Sequence, residues 1–588
     1  MPRLTAGRII AALLLLLTAL VAVGIWMGLG ALTAYERLTS ARETIAQLQS
    51  DVAAGNISRI DDEAAAVRDD TAEARDALDT WAWGAAEHLP AYGDDVRALR
   101  TLVAVTDDLA AGPAESLARA ATTLTADRLA PVDGRIPLEP LREAAPAISR
   151  GYEGLLSARR DLREVDTRTL EGPLAEAVQE LRSEVAVLVD RVAIADRITT
   201  LLPPMLGGDG PRRYLLLNQN TAEARAPGGI AGSAIIVEAD DGRIQLRRQV
   251  TGGSLDIPDE PIIPLSAAEL SLFGTSLGRF FVNSINTPDF PRAAELASAH
   301  WEANTGQEVD GVLAVDPEAL SLLLEATGPV TVGGIELRPE NAASVLLRDA
   351  YARLPDPAEQ DEFFASAARA VFDRLSAGKV DAAVAARALD QAAEEGRLLA
   401  WSRRRTEEQQ LLRFPIAGAL DGLDGGRPEV GIFRFENTAS KLSYYQEVSV
   451  ISGPDCAAEA TGARTRLEID VTSTVPRSRA ARRALPDYVA LNTRPRGTMR
   501  TRLYLYAPPG SAFGPVTVDG RQVGVISVLH DGLFVVAVDL VIRPQATVRI
   551  ETSMSGGELR TTDPRALTIR TTPTALRGQF THQALECR

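Results

Sequence analysis

The chain has 588 residues, 45% of them hydrophobic and 24% charged, and a formal net charge of −17. That length exceeds what one hydrophobic core holds and predicts about two to four domains. The acidity argues against a nucleic-acid partner, because neutralising phosphates takes a basic face. Four scattered histidines and two cysteines without ligand spacing argue against a zinc centre.

Residues 1–8 contain Arg3 and Arg8 and precede an uncharged run, IIAALLLLLTALVAVGIWMGLGAL, over residues 9–32. At 1.5 Å per residue the run covers about 36 Å, enough for a hydrocarbon core of about 30 Å. It is too long for the apolar core of a cleaved signal peptide, about 7–15 residues. The nearest cleavage candidate, LTA at 32–34, has leucine where a small residue is needed. The run therefore reads as an uncleaved transmembrane anchor. Positive-inside bias makes residues 1–8 a cytoplasmic stub and places the bulk of the chain outside the cell membrane.

From residue 35 to 202 the apolar residues recur three and four apart with charges between, as in LAEAVQELRSEVAVLVDRVAIADRITTLL. Pro90, Pro113, Pro131 and Pro137 cut this acidic region into several helices, a bundle or stalk with no catalytic constellation. Trp81 and Trp83 suit either an interfacial anchor or buried packing at a helix end.

The stretch PPMLGGDGPRR, 203–213, reads as a linker, after which the periodicity changes. In residues 211–415, YLLLN and SAIIVE read as buried strands, DDG at 240–242 as a tight turn, and RIQLRRQV as an alternating strand. A helix over 292–306, a strand over 309–317, a helix over 318–328 and a strand at PVTVGG predict a βαβ-type unit in a mixed sheet covered by helices. Residues 428–588 carry short alternating strands with turn residues between, as in a β-sandwich. The predicted fold class is multi-domain α+β: one N-terminal transmembrane helix, a helical stalk, a mixed-sheet α/β core and an antiparallel sandwich-like domain. Cys456 and Cys587 fall in the last of these, where an oxidising compartment would let them form a disulfide or leave two thiols.

The stretch with most chemical content is YLLLNQNTAEARAPGGIAGSAIIVE, residues 214–238. Gly228 and Gly229 would let backbone N–H groups converge on an anion, and the Arg225 guanidinium would grip a phosphate in a fork. The competing reading is an ordinary inter-strand connection, with Arg225 paired to Glu223 or in solvent. Arg243 and Arg247 share one strand face and would extend a phosphate site or line a solvated edge. Asp289 and Asp316 stand at element ends, where a carboxylate caps a helix or binds a divalent metal. The motif GTSLG at 274–278, followed by Asp289 and His300, has the serine-hydrolase order, but a helix precedes it where that motif needs a strand.

The segments RRYLLLNQNTAEARAPGGIAGSAIIVEADDGRI, INTPDFPRAAELA and VDGVLAVDPEALSLLLEATGPVTVGG resemble a bacterial family of membrane-anchored envelope proteins. That family is catalogued as domain of unknown function 4012. The likeness spans roughly residues 211–380, with an echo in VGIFRFENTASKLSYYQ at 430–446, and it implies topology and compartment but no reaction. The block VDGVLAVDPEALSLLLEATGPVTV is also similar to a segment of the LytR–CpsA–Psr phosphotransferases, which move lipid-linked glycopolymers onto peptidoglycan. That similarity implies Arg225, Arg243 and Arg247 on a pyrophosphate and Asp289 and Asp316 on Mg2+. The arginine of that family's proline-arginine-aspartate turn is missing from GGSLDIPDE at 252–260. Two functions follow as expectations. One is an outward-facing envelope protein that binds or transfers lipid-pyrophosphate-linked glycopolymer; the other is a non-catalytic scaffold or binding module for cell-wall polymer or protein partners.

Overall fold

The computed structural model describes residues 6–53, 60–376, 380, 382–420, 428–454, 464–490, 492–560 and 567–584. The chain divides into two compact units, one of residues 1–130 and 137–205, the other of 131–136 and 206–588.

The first unit is helical, with α1 (Ala6–Ala53), α2 (Ile60–Leu78), α3 (Trp81–Ala86), α4 (Gly93–Leu109), α5 (Glu115–Thr123), α6 (Ala126–Leu129), α7 (Glu139–Glu164) and α8 (Gly172–Met205). A π-turn at Ala110–Ala114 carries Pro113, whose missing N–H loosens the helix between α4 and α5. A Cβ on Gly154 would meet Pro113 Cγ at 2.5 Å, so the glycine lets α7 settle against that proline. Val105, Ala120, Ile148, Leu155, Val185 and Val189 fill the core between α4, α5, α7 and α8.

The expected anchor is helical in backbone throughout, but the side chains of residues 6–22 and 24 lie outside the described residues. Among the described residues no helix is long and apolar enough to cross a membrane. The last part of the apolar run also packs inside the unit. Met27, Ala31 and Ala34 meet Ala74, Leu78, Trp83 and Val103. A Cβ on Gly30 would lie 2.9 Å from the Ala77 carbonyl oxygen, so the two helices touch closely there. The tryptophan pair divides its roles: Trp83 is buried, whereas Trp81 is 70% exposed with its ring 6.4 Å from that of Trp26.

The second unit begins with a mixed sheet. Strands β1 (Arg212–Arg225), β2 (Gly228–Asp240) and β3 (Arg243–Thr251) form an antiparallel meander. The turn at 240–242 is there, with Asp241 and Gly242 both at positive φ (46° and 76°), as a hairpin turn matched to strand twist requires. Helices α9 (Ala267–Phe273), α10 (Ser276–Arg279) and α11 (Phe290–Thr305) lead to β4 (Gly311–Val315), which joins β1 in parallel. A capping box of Ser266 and Glu269 starts α9. Asp289 and Gly306 bound α11.

Helix α12 (Pro317–Thr327) then leads to β5 (Val330–Val332), and here the predicted βαβ unit fails. β5 leaves the main sheet and pairs with β6 (Ile335–Leu337), because Gly333 and Gly334 at positive φ turn the chain straight back. Helices α13 (Ala342–Ser344), α14 (Ala350–Arg353), α15 (Pro357–Ser376) and α16 (Ala382–Glu394) follow. β7 (Leu398–Ser402) completes the sheet order β3-β2-β1-β4-β7, and α17 (Arg405–Leu411) closes this part. Its core joins Leu215, Leu217, Ala234 and Val312 to Phe290 and Trp301 of α11.

Two further sheets stack face to face. The first strands are β8 (Glu429–Glu436), β9 (Gln446–Pro454) and β10 (Arg464–Ser473), then the short α18 (Arg479–Arg483) and α19 (Asp487–Ala490). β11 (Met499–Tyr506), β12 (Ser511–Phe513), β13 (Thr517–Val518), β14 (Arg521–Gln522), β15 (Ile526–His530), β16 (Leu533–Ile542) and β17 (Thr547–Gly556) follow. β18 (Thr568–Thr571) and β19 (Phe580–Ala584) finish the set. One sheet runs β15-β16-β11-β8-β18, the other β14-β13-β17-β10-β9-β19 with β12 on β17. Leu503, Leu505 and Val538 of the first face Leu467, Ile469 and Val450 of the second. The sandwich is not wholly antiparallel, since β18 lies parallel to β8 and β19 parallel to β9. Both strands return from a long excursion instead of a hairpin, which leaves them free to run either way. Cys456 and Cys587 lie outside the described residues.

Candidate functional site

The hairpin that bears Arg225 is longer and tighter than a polar loop. Both strands run to its tip, where Arg225 partners Gly228, and only Ala226 and Pro227 make the turn. Neither Gly228 nor Gly229 has positive φ. Added Cβ atoms there would strike the Gln219 side chain at 1.9 Å and the Asn220 backbone at 2.1 Å, so the glycines serve close strand approach.

Between Asn220 and Ala224 the ladder skips, and Thr221–Glu223 fold out of β1. The Asn220 side-chain oxygen accepts the Ala222 N–H at 3.1 Å and holds this bulge. The bulge delivers Glu223 into a buried cluster. Arg225 donates to one oxygen of Glu223 at 2.9 Å and Lys441 to the other at 3.2 Å. Arg225 lies 4.7 Å over the Phe435 ring and donates to the Ala224 carbonyl at 2.9 Å. Lys441 sits 5.5 Å over Tyr351 and 5.2 Å over Tyr488.

The electrostatics follow from that packing. Burial penalises the Glu223 carboxylate, but Lys441 and Arg225 outweigh it and hold its pKa below the ordinary range. Burial likewise opposes the Lys441 charge, while Tyr351 and Glu223 push its pKa above the usual value. Glu436 is different. Burial drives its pKa up to about 7, against the Thr438 donors that favour the charged form. The terminal nitrogens of Arg225 are taken by Glu223, Ala224 and Glu436, its Nε–H is buried without a partner among the described residues, and the residue is only 5% exposed; the cluster clamps the tip of β1 to the segment 436–443.

The other predicted residues do not converge on this tip. Arg243 opens β3 opposite Asp240, some 12 residues along β2 from Gly228 and therefore about 40 Å away. It is half-buried, and its guanidinium donates to the Asp133 carbonyl at 3.3 Å. Arg247 pairs with Glu238 at 2.8 Å on the exposed sheet face. Asp289 caps α11, accepting from Arg292 N at 3.2 Å and from Leu420 N at 3.0 Å. Asp316 caps α12 through Ala319 N at 2.8 Å and is buried against Arg397 at 2.8 Å. Among the described residues no group of three or more His, Cys, Asp or Glu side chains is placed to hold a metal ion. The G-x-S-x-G serine donates its hydroxyl to the Phe273 carbonyl at 3.1 Å, and His300 is buried beside Phe281.

Lys441, Glu436, Tyr351 and Tyr488 are the residues that reading the sequence missed. A signal existed for two of them: Glu436 and Lys441 lie in the 430–446 echo, and Lys441 is one of only two lysines in an arginine-rich chain. A second arginine set binds the segment after β18. Arg434 donates to the Thr572 and Pro573 carbonyls at 2.9 and 3.1 Å, and Arg397 to Thr574 at 3.0 Å. Burial pushes the Arg434 pKa down to about 10, since carbonyl and amide oxygens are its partners.

Fold and cluster define a multi-unit α+β protein whose central mixed sheet is locked by buried ion pairs. Residues 209–351, from just before β1 to Tyr351, match the family model described as protein of unknown function DUF4012. No curated protein matches the chain. Among solved structures, protein gbs0355 from Streptococcus agalactiae is similar at 13% identity over 36% of this chain and 76% of that one, with a TM-score of 0.25. A likeness at that score carries no argument here.

Proposed function

We propose that the chain is an outward-facing, membrane-anchored protein of the bacterial envelope that works as a binding module and not as a transferase. The observation that supports anchoring is the continuity of α1 from the apolar run into the first unit. From Ile9 to Ile25 the helix covers about 26 Å, close to the thickness of a hydrocarbon core. Trp26 and the exposed Trp81 follow at once as a ring pair, the amphipathic aromatics that settle at a bilayer surface. Anchoring then ends at about Trp26, since Met27 and Ala31 belong to the helical unit.

Binding is preferred to glycopolymer transfer of the LytR–CpsA–Psr type because the Arg225 guanidinium is occupied by Glu223. Arg243 and Arg247 stand far along the sheet from it. Cell fractionation tests the reading. The full chain is expected in the membrane pellet after carbonate washing, and to be digested by protease added outside spheroplasts. Deleting residues 9–25 should release it. Recovery of the intact full chain in the soluble fraction would reject anchoring.

A further inference from the structure

An acidic chain keeps one strongly basic surface. Residues 475–500 hold seven arginines and a single carboxylate, Asp487, in a protein of net charge −17. The fold gathers them. Arg496 on the loop before β11 donates to the Arg482 carbonyl at 3.0 Å and to that of Leu485 at 2.6 Å, which ties the loop to α18. A Cβ on Gly497 would lie 2.9 Å from Arg482 Cδ and 3.4 Å from Pro544 Cγ, so the turn after β16, with Arg543, belongs to the same surface. Arg496 takes Asp487 at 3.0 Å and so consumes the one acid. Arg477, Arg479, Arg483, Arg494, Arg500 and Arg543 remain exposed, with no side-chain partner among the described residues.

Free guanidinium forks crowded without counter-charge favour an anion that carries several charges, phosphodiester or carboxylate, which each fork meets with two hydrogen bonds. Tyr488 adds a second feature. It adjoins Asp487, is 51% exposed, and its ring is fixed by stacking on Tyr351 at 5.7 Å and by Lys441 at 5.2 Å. A rigid half-exposed ring beside fixed cations is a platform for the apolar face of a sugar. Among the described residues of 475–500 it is the one large apolar side chain exposed.

We propose that this surface binds an anionic glycopolymer, the free arginines holding its phosphodiester or uronate charges and Tyr488 stacking on a sugar ring. The proposal rests on the binding-module reading above and names its ligand.

The test uses the full chain in neutral-lipid nanodiscs, titrated with glucosylated poly(glycerol phosphate), with polygalacturonate and with uncharged dextran. Binding to one or both anionic polymers, weakening as salt rises, is expected, with none to dextran; which polymer binds more tightly separates phosphodiester from uronate ligands. R479A/R483A/R494A should weaken it at least tenfold at unchanged melting temperature. R477A/R500A/R543A is the second set, should the first fail to fold. Lysine at the same positions should restore part of the affinity, and Tyr488→Ala should weaken the glycans more than inorganic polyphosphate. Wild-type binding by both alanine sets would overturn the proposal. So would arginine-dependent binding of phosphatidylglycerol vesicles or duplex DNA with none of either polymer. A chain that binds polymer in vitro but fractionates as soluble in cells would sink the anchoring and leave this surface standing.

Discussion

Lys441 shows what one point charge does at a site where every neighbour is already committed. Its ammonium completes Glu223 and lies beside a stacked pair of tyrosine rings, and the residue is only 6% exposed. Lys441→Met should leave Glu223 half-compensated in a dry site and cost about 3–5 kcal/mol, read from urea unfolding of the full chain. Combined with Glu223→Gln, which also strips Arg225 of its carboxylate, the loss should be smaller than the two single losses summed; strictly additive losses would count against the clamp. Glu436 gives a pH signature of definite sign. Its folded pKa, about 7, lies above the ~4.3 of a free glutamate, so the folded chain keeps a proton that the unfolded chain releases. Its contribution to stability is therefore full below about pH 4, falls between about pH 4 and 7, and is flat above. Glu436→Gln should remove that slope and raise stability at pH 8 by up to about 3 kcal/mol. Parallel stability–pH curves for the two proteins would refute the assignment.

At the scale of elements, the hairpin was legible as two apolar runs, but its tip was not. The bulge over Thr221–Glu223 exists because Lys441 and Ser443, more than 200 residues on, wait for Glu223 and the Ala224 N–H. Local sequence holds no record of such partners, so the same glycines and arginine read equally well as an anion cradle. β5 went astray for a related reason: three apolar residues look alike in a main sheet and in a side hairpin, and the paired glycines after them decide. The sandwich offers a prediction of its own. β9 and β19 run parallel with Ser452 opposite Ala584, and Cys456 and Cys587 follow four and three residues further along. Both cysteines lie outside the described residues; the oxidising compartment proposed for the chain is what favours a disulfide between them. Peptide mapping without reductant, on protein isolated from an oxidising compartment, should find it. Cys456→Ser should lower stability by about 2–4 kcal/mol, and two alkylatable thiols in the native sample would reject the link.

For the whole molecule, alternation and helical periodicity carried the α+β class, the helical first region and the mixed sheet, because each depends on spacing within a dozen residues. The candidate site was not legible. Arg225, Arg243 and Arg247 sit near one another in sequence, yet a straight hairpin spreads them along about 40 Å. The arginines after residue 475 look like an unremarkable solvated run until Gly497 and Arg496 fold their loop onto α18. The hold of Arg434 on Thr572 has a different kind of consequence, one of time. Those partners stand 138 residues apart. At the roughly 5–20 residues per second of synthesis, about 7–28 s separate the emergence of the guanidinium from that of its carbonyls. Through that interval β8 and β9 each show an open edge to the surroundings, β18 and β19 not yet having been made. The nascent chain is thus most exposed to aggregation while its sandwich is nearly, but not wholly, synthesised.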